Sequence, residues 1–115
     1  MYKSKYFKPE EFSCHCGCGL SEVSDVLLEE LDSVREHFGV PISITSGRRC
    51  DAHNRAVGGA PKSQHKDGTA ADIKVKGVPP TVVYKYLNNR YAKKYGVGLY
   101  STFVHFDVRP QKARW

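Results

Sequence analysis

Two histidines and an aspartate are the residues of this chain best suited to chemistry. His65 and Asp72 lie seven positions apart, with Gly68 between them to let the backbone turn. His105 comes later, in a stretch of alternating polar and apolar residues that is typical of a strand. Two imidazoles and one carboxylate, with a fourth position for water, are the ligands of a catalytic zinc site. The sequence therefore predicts zinc as the cofactor, provided that the strands carrying Asp72 and His105 are neighbours.

Each of these three residues also has a plainer interpretation when it is taken singly. His65 would be a surface loop residue, Asp72 a charge at a strand edge and His105 a hydrogen-bonded histidine of the core. The combination of all three favours the metal site.

The elements that must position these residues follow from hydrophobic periodicity. Apolar residues at helical spacing predict two main helices, and β-branched alternation predicts strands on either side of a long loop. The predicted order is a helix in 21–39, a strand in 40–45, a loop in 48–68, a strand in 69–75, a helix in 79–91 and strands in 97–100 and 102–108. This order indicates an α+β fold, in which a small antiparallel sheet packs against two main helices and carries the zinc site on one face.

Length and composition exclude several classes of protein. A chain of 115 residues has room for one core, so we expect a single domain over residues 1–115, with the Cys-rich residues 1–20 packed on it. No apolar run is long enough to span a bilayer, and the first residues lack the apolar stretch of a signal peptide. The net charge of +6 favours anionic partners, but no helix-turn-helix or zinc-finger pattern indicates nucleic acid.

Three segments resemble the zinc D-alanyl-D-alanine carboxypeptidase and L-alanyl-D-glutamate endopeptidase family, which includes phage endolysins. They are Ser63-x-His65-x-x-Gly68-x-Ala70-x-Asp72, the run 45–50 (Thr-Ser-Gly-Arg-Arg-Cys) with Asn54, and the C-terminal runs 96–100 and 103–109 with the closing Ala113-Arg114-Trp115. The similarity extends from Phe12 to the last residue.

The resemblance implies roles for individual residues. Zinc would be held by His65, Asp72 and His105. Arg49 matches the family arginine that binds the carboxylate of the substrate or polarises its carbonyl, and Ser63 is assigned to substrate binding. The neighbouring Arg48 is expected to be a solvated charge.

One position departs from the family pattern. Members often have an acidic residue or a histidine as general base three residues before the last zinc ligand, and this chain has Thr102 there. Asp107 is the candidate for the base, since strand alternation puts it on the same face as His105. The same placement also suits a residue that orients the imidazole, so both roles stay open. Asp67 is a more distant candidate.

Four cysteines form a second group of interest, with three of them in the short run 14–18 and the fourth next to Arg49. A disulfide from the N-terminal turn to Cys50 would brace the arginine segment in an oxidising compartment. A structural zinc held by thiolates and an imidazole is an alternative, although the alternate-residue spacing is unusual for it. Burial as small apolar side chains is a third interpretation.

These observations predict a zinc metallopeptidase that cleaves a peptide bond in peptidoglycan stem or crosslink peptides, as a D,D-carboxypeptidase or an endopeptidase. The alternative is a non-catalytic, zinc-containing wall-binding or virion-associated module. We expect a monomer that inserts into no membrane and binds no nucleic acid. We also expect it to be made in the cytoplasm without a signal peptide and to reach the wall by phage-type release.

Overall fold

A computed structural model describes residues 3–115 and contains a five-stranded sheet with three α-helices. The α-helices are α1 (Asp25–Phe38), α2 (Asp51–Ala56) and α3 (Pro80–Arg90), and two short 3-10 helices cover Pro9–Phe12 and Gln64–Asp67. The strands are β1 (Ile42–Ser46), β2 (Ala70–Val75), β3 (Gly96–Leu99), β4 (Val104–Asp107) and β5 (Ala113–Arg114). The predicted α+β class is confirmed.

The strand order across the sheet is β1-β2-β4-β3-β5. The first four strands pair antiparallel, and β5 adds to β3 in parallel, so the sheet is mixed rather than purely antiparallel as predicted. The difference arises because β5 has two residues, too few to show the alternation by which a strand is recognised in a sequence. The neighbouring positions of β2 and β4, on which the predicted zinc site depends, are present.

Helix α1 begins and ends where capping chemistry requires. The hydroxyl of Ser24 accepts a hydrogen bond from the backbone amide two residues further on, and Gly39 ends the helix in the left-handed conformation. Between them, Leu27, Leu31 and Val34 lie on one face and are fully buried. Helix α3, which begins at a proline, buries a similar face, and both helices contribute to one core.

The two faces of the sheet differ in chemistry. Ile73, Val97, Val104 and Phe106 point into the core with the helices. The residues that alternate with them point to the other face, which carries Asp72, His105 and Asp107. Strand alternation thus separates the apolar core from a polar face where the candidate site lies. No helix of residues 3–115 combines the length and the apolar character needed to cross a membrane.

Two glycines on β3 make room for this polar face. Gly96 pairs with Asp107 and Gly98 pairs with His105 across the β3–β4 ladder. A β-carbon at Gly96 would collide with the carboxylate of Asp107, and one at Gly98 would collide with the indole ring of Trp115. The absence of a side chain at Gly96 and at Gly98 therefore lets the carboxylate and the indole lie against this face of β3.

The N-terminal segment packs against the end of β1. Phe12 is fully buried, and its carbonyl accepts a hydrogen bond of 2.8 Å from the amide of Arg48. A β-carbon at Gly47 would lie 2.6 Å from the Cα of Phe12, so the two backbones are in direct contact. This contact connects the segment before α1 to the loop that carries Arg49.

We predict that Gly47→Ala lowers the free energy of unfolding by about 1–3 kcal/mol, because the new methyl group meets backbone atoms that cannot move aside cheaply. Ser43→Ala, at an exposed position of the preceding strand β1, is the control and should change it by less than about 0.5 kcal/mol. Urea unfolding followed by circular dichroism measures both. Equal stability of the two variants would show that the close approach of Phe12 and Gly47 carries no energetic weight.

Candidate metal centre

Three elements bring the predicted ligands together. Asp72 on β2 and His105 on β4 are direct partners across the antiparallel ladder. His65 belongs to the 3-10 helix Gln64–Asp67, where the hydroxyl of Ser63 accepts a hydrogen bond of 3.2 Å from its amide. Gly68 ends this helix in the left-handed conformation and leads the chain into β2. The loop histidine is therefore held beside the two strand residues by local capping.

The three side chains converge on one oxygen atom. Asp72 Oδ1 lies 3.3 Å from Nε2 of His65 and 3.0 Å from Nδ1 of His105, and all three residues are buried. A tetrahedral zinc ion with bonds of about 2.0–2.1 Å would hold such ligands about 3.3 Å apart. The donor set and its spacing therefore fit zinc.

Hydrogen bonds on the far side of each ring select the nitrogen that faces the centre. Nδ1 of His65 lies 2.8 Å from the carbonyl oxygen of Gly47, which can only accept, so Nδ1 carries the proton and leaves the lone pair on Nε2. Nε2 of His105 donates to Asp107 Oδ2 at 2.7 Å, which leaves Nδ1 facing Asp72. Partners of this kind fix the tautomer and orientation of metal-binding histidines.

Asp107 is fully buried and has all its acceptor positions in use. Its Oδ2 accepts from His105 and from Nη2 of Arg109, each at 2.7 Å. Its Oδ1 accepts from the amides of Gly96 and Arg109 and from Nε of Arg109, at 2.8–3.1 Å. Burial alone would raise the pKa of Asp107, but hydrogen bonds from His105 and Arg109 hold it well below its usual range. A carboxylate with these partners has a low affinity for a further proton.

The metal-free centre is a network of charges. Burial alone would raise the pKa of Asp72, but its contacts with His105 and His65 lower it to about 2. Burial would lower the pKa of His105, whereas its hydrogen bonds to Asp107 and Asp72 outweigh that effect and raise it. His105 thus links the two carboxylates of the centre through its two ring nitrogens.

The centre lies at a cavity of about 460 Å³. Residues from the long loop and from both sides of β4 line it: Arg49, Gly58, Gly59, Ala60, Lys62, Ser63, Gln64, His65, Asp72, Tyr100, Phe103, His105, Arg109 and Trp115. Asp72 is the single carboxylate in this lining. A larger cavity of about 760 Å³ lies between the N-terminal segment and the start of α1, and it contains none of the converging ligands.

Arg49 reaches the edge of the metal centre. Its Nη2 lies 3.8 Å from Asp72 Oδ2, while Nη1 donates to Asn54 Oδ1 at 3.3 Å and Nε donates to Ser46 Oγ at 3.4 Å. The backbone amide of Arg49 also donates to the carbonyl of His65 at 3.0 Å. The side chain is therefore held in the cavity by two neutral partners, and its positive charge faces the site.

An aromatic wall completes the cavity, and the sequence patterns did not predict it. Nε1 of Trp115 donates to the hydroxyl of Tyr100 at 2.9 Å, and the Tyr100 ring stacks on Phe103. The Trp115 ring centre lies 5.0 Å from that of His105. Residues 96–100 and 113–115 contributed to the family resemblance, which was the one signal in the sequence that could have pointed to this wall.

The remaining candidates of the sequence analysis lie outside the centre or support it. Ser63 lines the cavity, but its hydroxyl is engaged in capping the turn of His65. Asp67 and Thr102 are exposed and do not line the cavity. The expectation that Arg48 is a solvated charge is wrong, because the side chain is half-buried and Nη1 donates to the carbonyl of Glu22 at 2.9 Å.

The fold and the site together fit a metallopeptidase: two strands present Asp72 and His105, a capped turn adds His65 at zinc spacing, and Arg49 lies beside them in the cavity. The family model described as Peptidase M15 matches residues 5–107, and the chain belongs to this family of zinc-dependent peptidases. Searches of curated proteins and of solved structures gave no match.

We predict that His105→Gln destabilises the metal-free protein most between about pH 4 and pH 6.5. The pKa of His105 is higher in the folded than in the unfolded protein, so its protonation stabilises the fold below the unfolded-state pKa of about 6.5. This stabilisation is lost as the pH rises through the folded-state pKa. Asp72, whose pKa is lowered to about 2, loses its contribution as pH falls from about 4 towards 2.

Thermal melting in chelator from pH 3 to pH 9 measures this difference between the variant and the unmodified protein. His15→Gln removes an exposed imidazole outside the centre and serves as the control. A difference that grows above pH 6.5 would contradict the assigned direction of the His105 shift.

Proposed function

We propose that this protein hydrolyses a peptide bond in the stem or crosslink peptides of peptidoglycan, with zinc held by His65, Asp72 and His105. The observation that carries the proposal is the convergence of both imidazoles on Asp72 Oδ1 beside an open cavity that Arg49 lines. A zinc ion bound there would act as a Lewis acid that polarises a carbonyl group and lowers the pKa of a zinc-bound water to about 7.

We assign Arg49 to substrate binding. Its guanidinium is held by Asn54 and Ser46 without being neutralised by a close ion pair, since the nearest oxygen of Asp72 is 3.8 Å away. A fixed guanidinium fork can donate two parallel hydrogen bonds to a carboxylate, or one to a carbonyl oxygen. Stem peptides of the wall carry both groups.

Tyr100 is a second donor available in the cavity. Its oxygen accepts the hydrogen bond from Trp115, so its own hydroxyl hydrogen remains free to donate. We assign this hydrogen to the carbonyl oxygen of the scissile bond, where negative charge develops during attack by water.

Asp107 is assigned to positioning rather than to proton transfer. Its five hydrogen bonds and its complete burial favour the role of holding His105, the second of the two roles open from the sequence. Ser63 likewise acts through His65, by capping the turn on which this ligand lies.

Peptidoglycan is the proposed substrate for two reasons. The net charge of +6 draws the protein to polymers that carry carboxylates and phosphates, and the motifs around His65 and His105 resemble those of wall peptidases. Membership of the Peptidase M15 family supports a peptide substrate in general.

A second candidate function is a zinc-containing wall-binding module without catalysis. The observation that favours it is the composition of the cavity, where the single carboxylate is Asp72, itself a proposed ligand. Such a module would bind wall fragments through Arg49 and the aromatic wall and would release no product.

The two functions predict different results with purified peptidoglycan. The zinc-loaded peptidase should release new amino and carboxyl ends, and a chelator should abolish this release. Mass spectrometry of the fragments identifies the bond, whether D-Ala-D-Ala, L-Ala-D-Glu or a crossbridge. Intact wall polymer from several chemotypes, after incubation with protein shown to contain zinc, would instead favour the binding module.

Asp107→Asn separates the positioning role from the role of general base. We expect zinc affinity to fall about 10–100-fold, because His105 loses the carboxylate that orients it. Isothermal titration with zinc measures this affinity. Asp67→Asn, at an exposed position, is the control and should retain both affinity and turnover. Loss of turnover in Asp107→Asn with unchanged zinc affinity would support the general base instead.

A further inference from the structure

All four cysteines of the chain meet at a second place, away from the polar face of the sheet. Cys14, Cys16 and Cys18 follow the first 3-10 helix, and Cys50 immediately precedes α2. Their four sulfur atoms lie within 4.8 Å of one another. The separations are 3.5 Å from Cys14 to Cys16, 3.6 Å from Cys16 to Cys50 and 3.8 Å from Cys14 to Cys50.

These separations match the ligands of a metal ion. A zinc ion with four sulfur ligands at about 2.3 Å would hold the sulfurs about 3.8 Å apart in a tetrahedron. A disulfide requires about 2.05 Å, and all four cysteines are free. The expected disulfide from the N-terminal turn to Cys50 is therefore not formed, although the two segments do meet.

We propose that Cys14, Cys16, Cys18 and Cys50 bind a structural zinc ion, as a second metal site that is separate from the peptidase centre. The proposal rests on the sulfur positions and not on the proposed peptidase function. His15, an alternative ligand from the sequence, is not among the converging groups.

The backbone explains how an alternate-residue spacing can surround one ion. In an extended strand, alternate side chains share a face but are about 6–7 Å apart, too far for a common ion. Here Gly17 and Gly19 adopt φ values of 83° and 85°, which only glycine reaches readily. The amide of Gly17 donates to the carbonyl of Cys14, and the amide of Cys14 donates to the carbonyl of Leu20. The run is thereby closed into a loop whose three sulfurs lie close to one another.

The sulfurs also receive backbone hydrogen bonds, which stabilise the thiolate form that zinc requires. The amide of Cys50 donates to Cys14 Sγ and the amide of His53 donates to Cys50 Sγ, each at 3.4 Å. Burial as small apolar side chains does not account for the cluster, because Cys16 and Cys18 are exposed. Four reduced thiols that converge while two of them face solvent fit a metal site better than a core.

A zinc ion bound by these cysteines would influence the peptidase centre by fixing the backbone next to Arg49. Cys50 follows Arg49 and accepts a hydrogen bond within the first turn of α2, the helix that carries Asn54. Asn54 in turn holds the guanidinium of Arg49. The ion would therefore fix the arginine segment relative to residues 14–18, the role that a disulfide was expected to fill.

The test counts metal on the full chain, purified under reducing conditions and supplied with zinc. Elemental analysis should give two zinc ions per chain for the unmodified protein and one for His65→Ala. Replacement of zinc by cobalt should give a near-ultraviolet band of thiolate-to-cobalt charge transfer, and His65→Ala should retain this band. Cys18→Ser should weaken it, whereas His15→Ala, in the same loop but outside the cluster, should leave both the count and the band unchanged.

A second measurement avoids variants that fail to fold. In the unmodified protein, zinc should protect all four thiols from alkylation, and a chelator should expose them. A single zinc per chain that His65→Ala removes, with no charge-transfer band and freely reactive thiols, would overturn the proposal. So would a mass showing disulfides after reducing purification. Loss of wall cleavage alone bears on the peptidase and leaves this result unaffected.

Discussion

The structure depends on one buried carboxylate, Asp72, which faces two imidazoles from different parts of the chain. A buried charge is costly unless it is paired and hydrogen-bonded, so the surrounding elements must supply partners. The β2–β4 ladder supplies His105 at a fixed register, and the capped turn before β2 supplies His65. Each imidazole is then held from behind, by the carbonyl of Gly47 and by Asp107.

The N-terminal segment belongs to the same arrangement, although it contributes no ligand to the peptidase centre. Phe12 accepts a hydrogen bond from Arg48 and lies against Gly47, whose carbonyl orients His65. At the other end of this short stretch, the amide of Cys50 donates a hydrogen bond to Cys14 Sγ. Residues 47–50 are thus held from both sides, and both Arg49 and the orientation of His65 depend on them.

Local patterns in the sequence predicted much of this arrangement. Helical periodicity gave α1 and α3, and alternation put His105 and Asp107 on the face opposite Phe106, as the structure has them. Short-range capping and strand alternation depend on neighbouring residues, so they can be read from the chain directly.

The features that were missed depend on tertiary contacts. Gly47 orients His65 through its backbone carbonyl. Every residue type has this group, so the residue type at position 47 does not indicate the role. Trp115 reaches the cavity only because β5 pairs with β3, and two residues give no periodic signal. The convergence of the cysteines likewise required the left-handed turns at Gly17 and Gly19, which spacing alone does not reveal.

The different surroundings of the Asp72 and Asp107 carboxylates bear on the choice between a peptidase and a binding module. Asp107 lies over Gly96 of β3 with all its acceptor positions in hydrogen bonds, while Asp72 lines the cavity. A module that only bound wall polymer would also use Arg49, so the guanidinium does not separate the two functions. Gly47 and Asp107 direct the ring nitrogens towards the cavity, where three protein ligands would leave a fourth zinc position open to a bound peptide. A structural zinc site would be closed by a fourth protein ligand, so this arrangement favours chemistry on the peptide over simple retention of it.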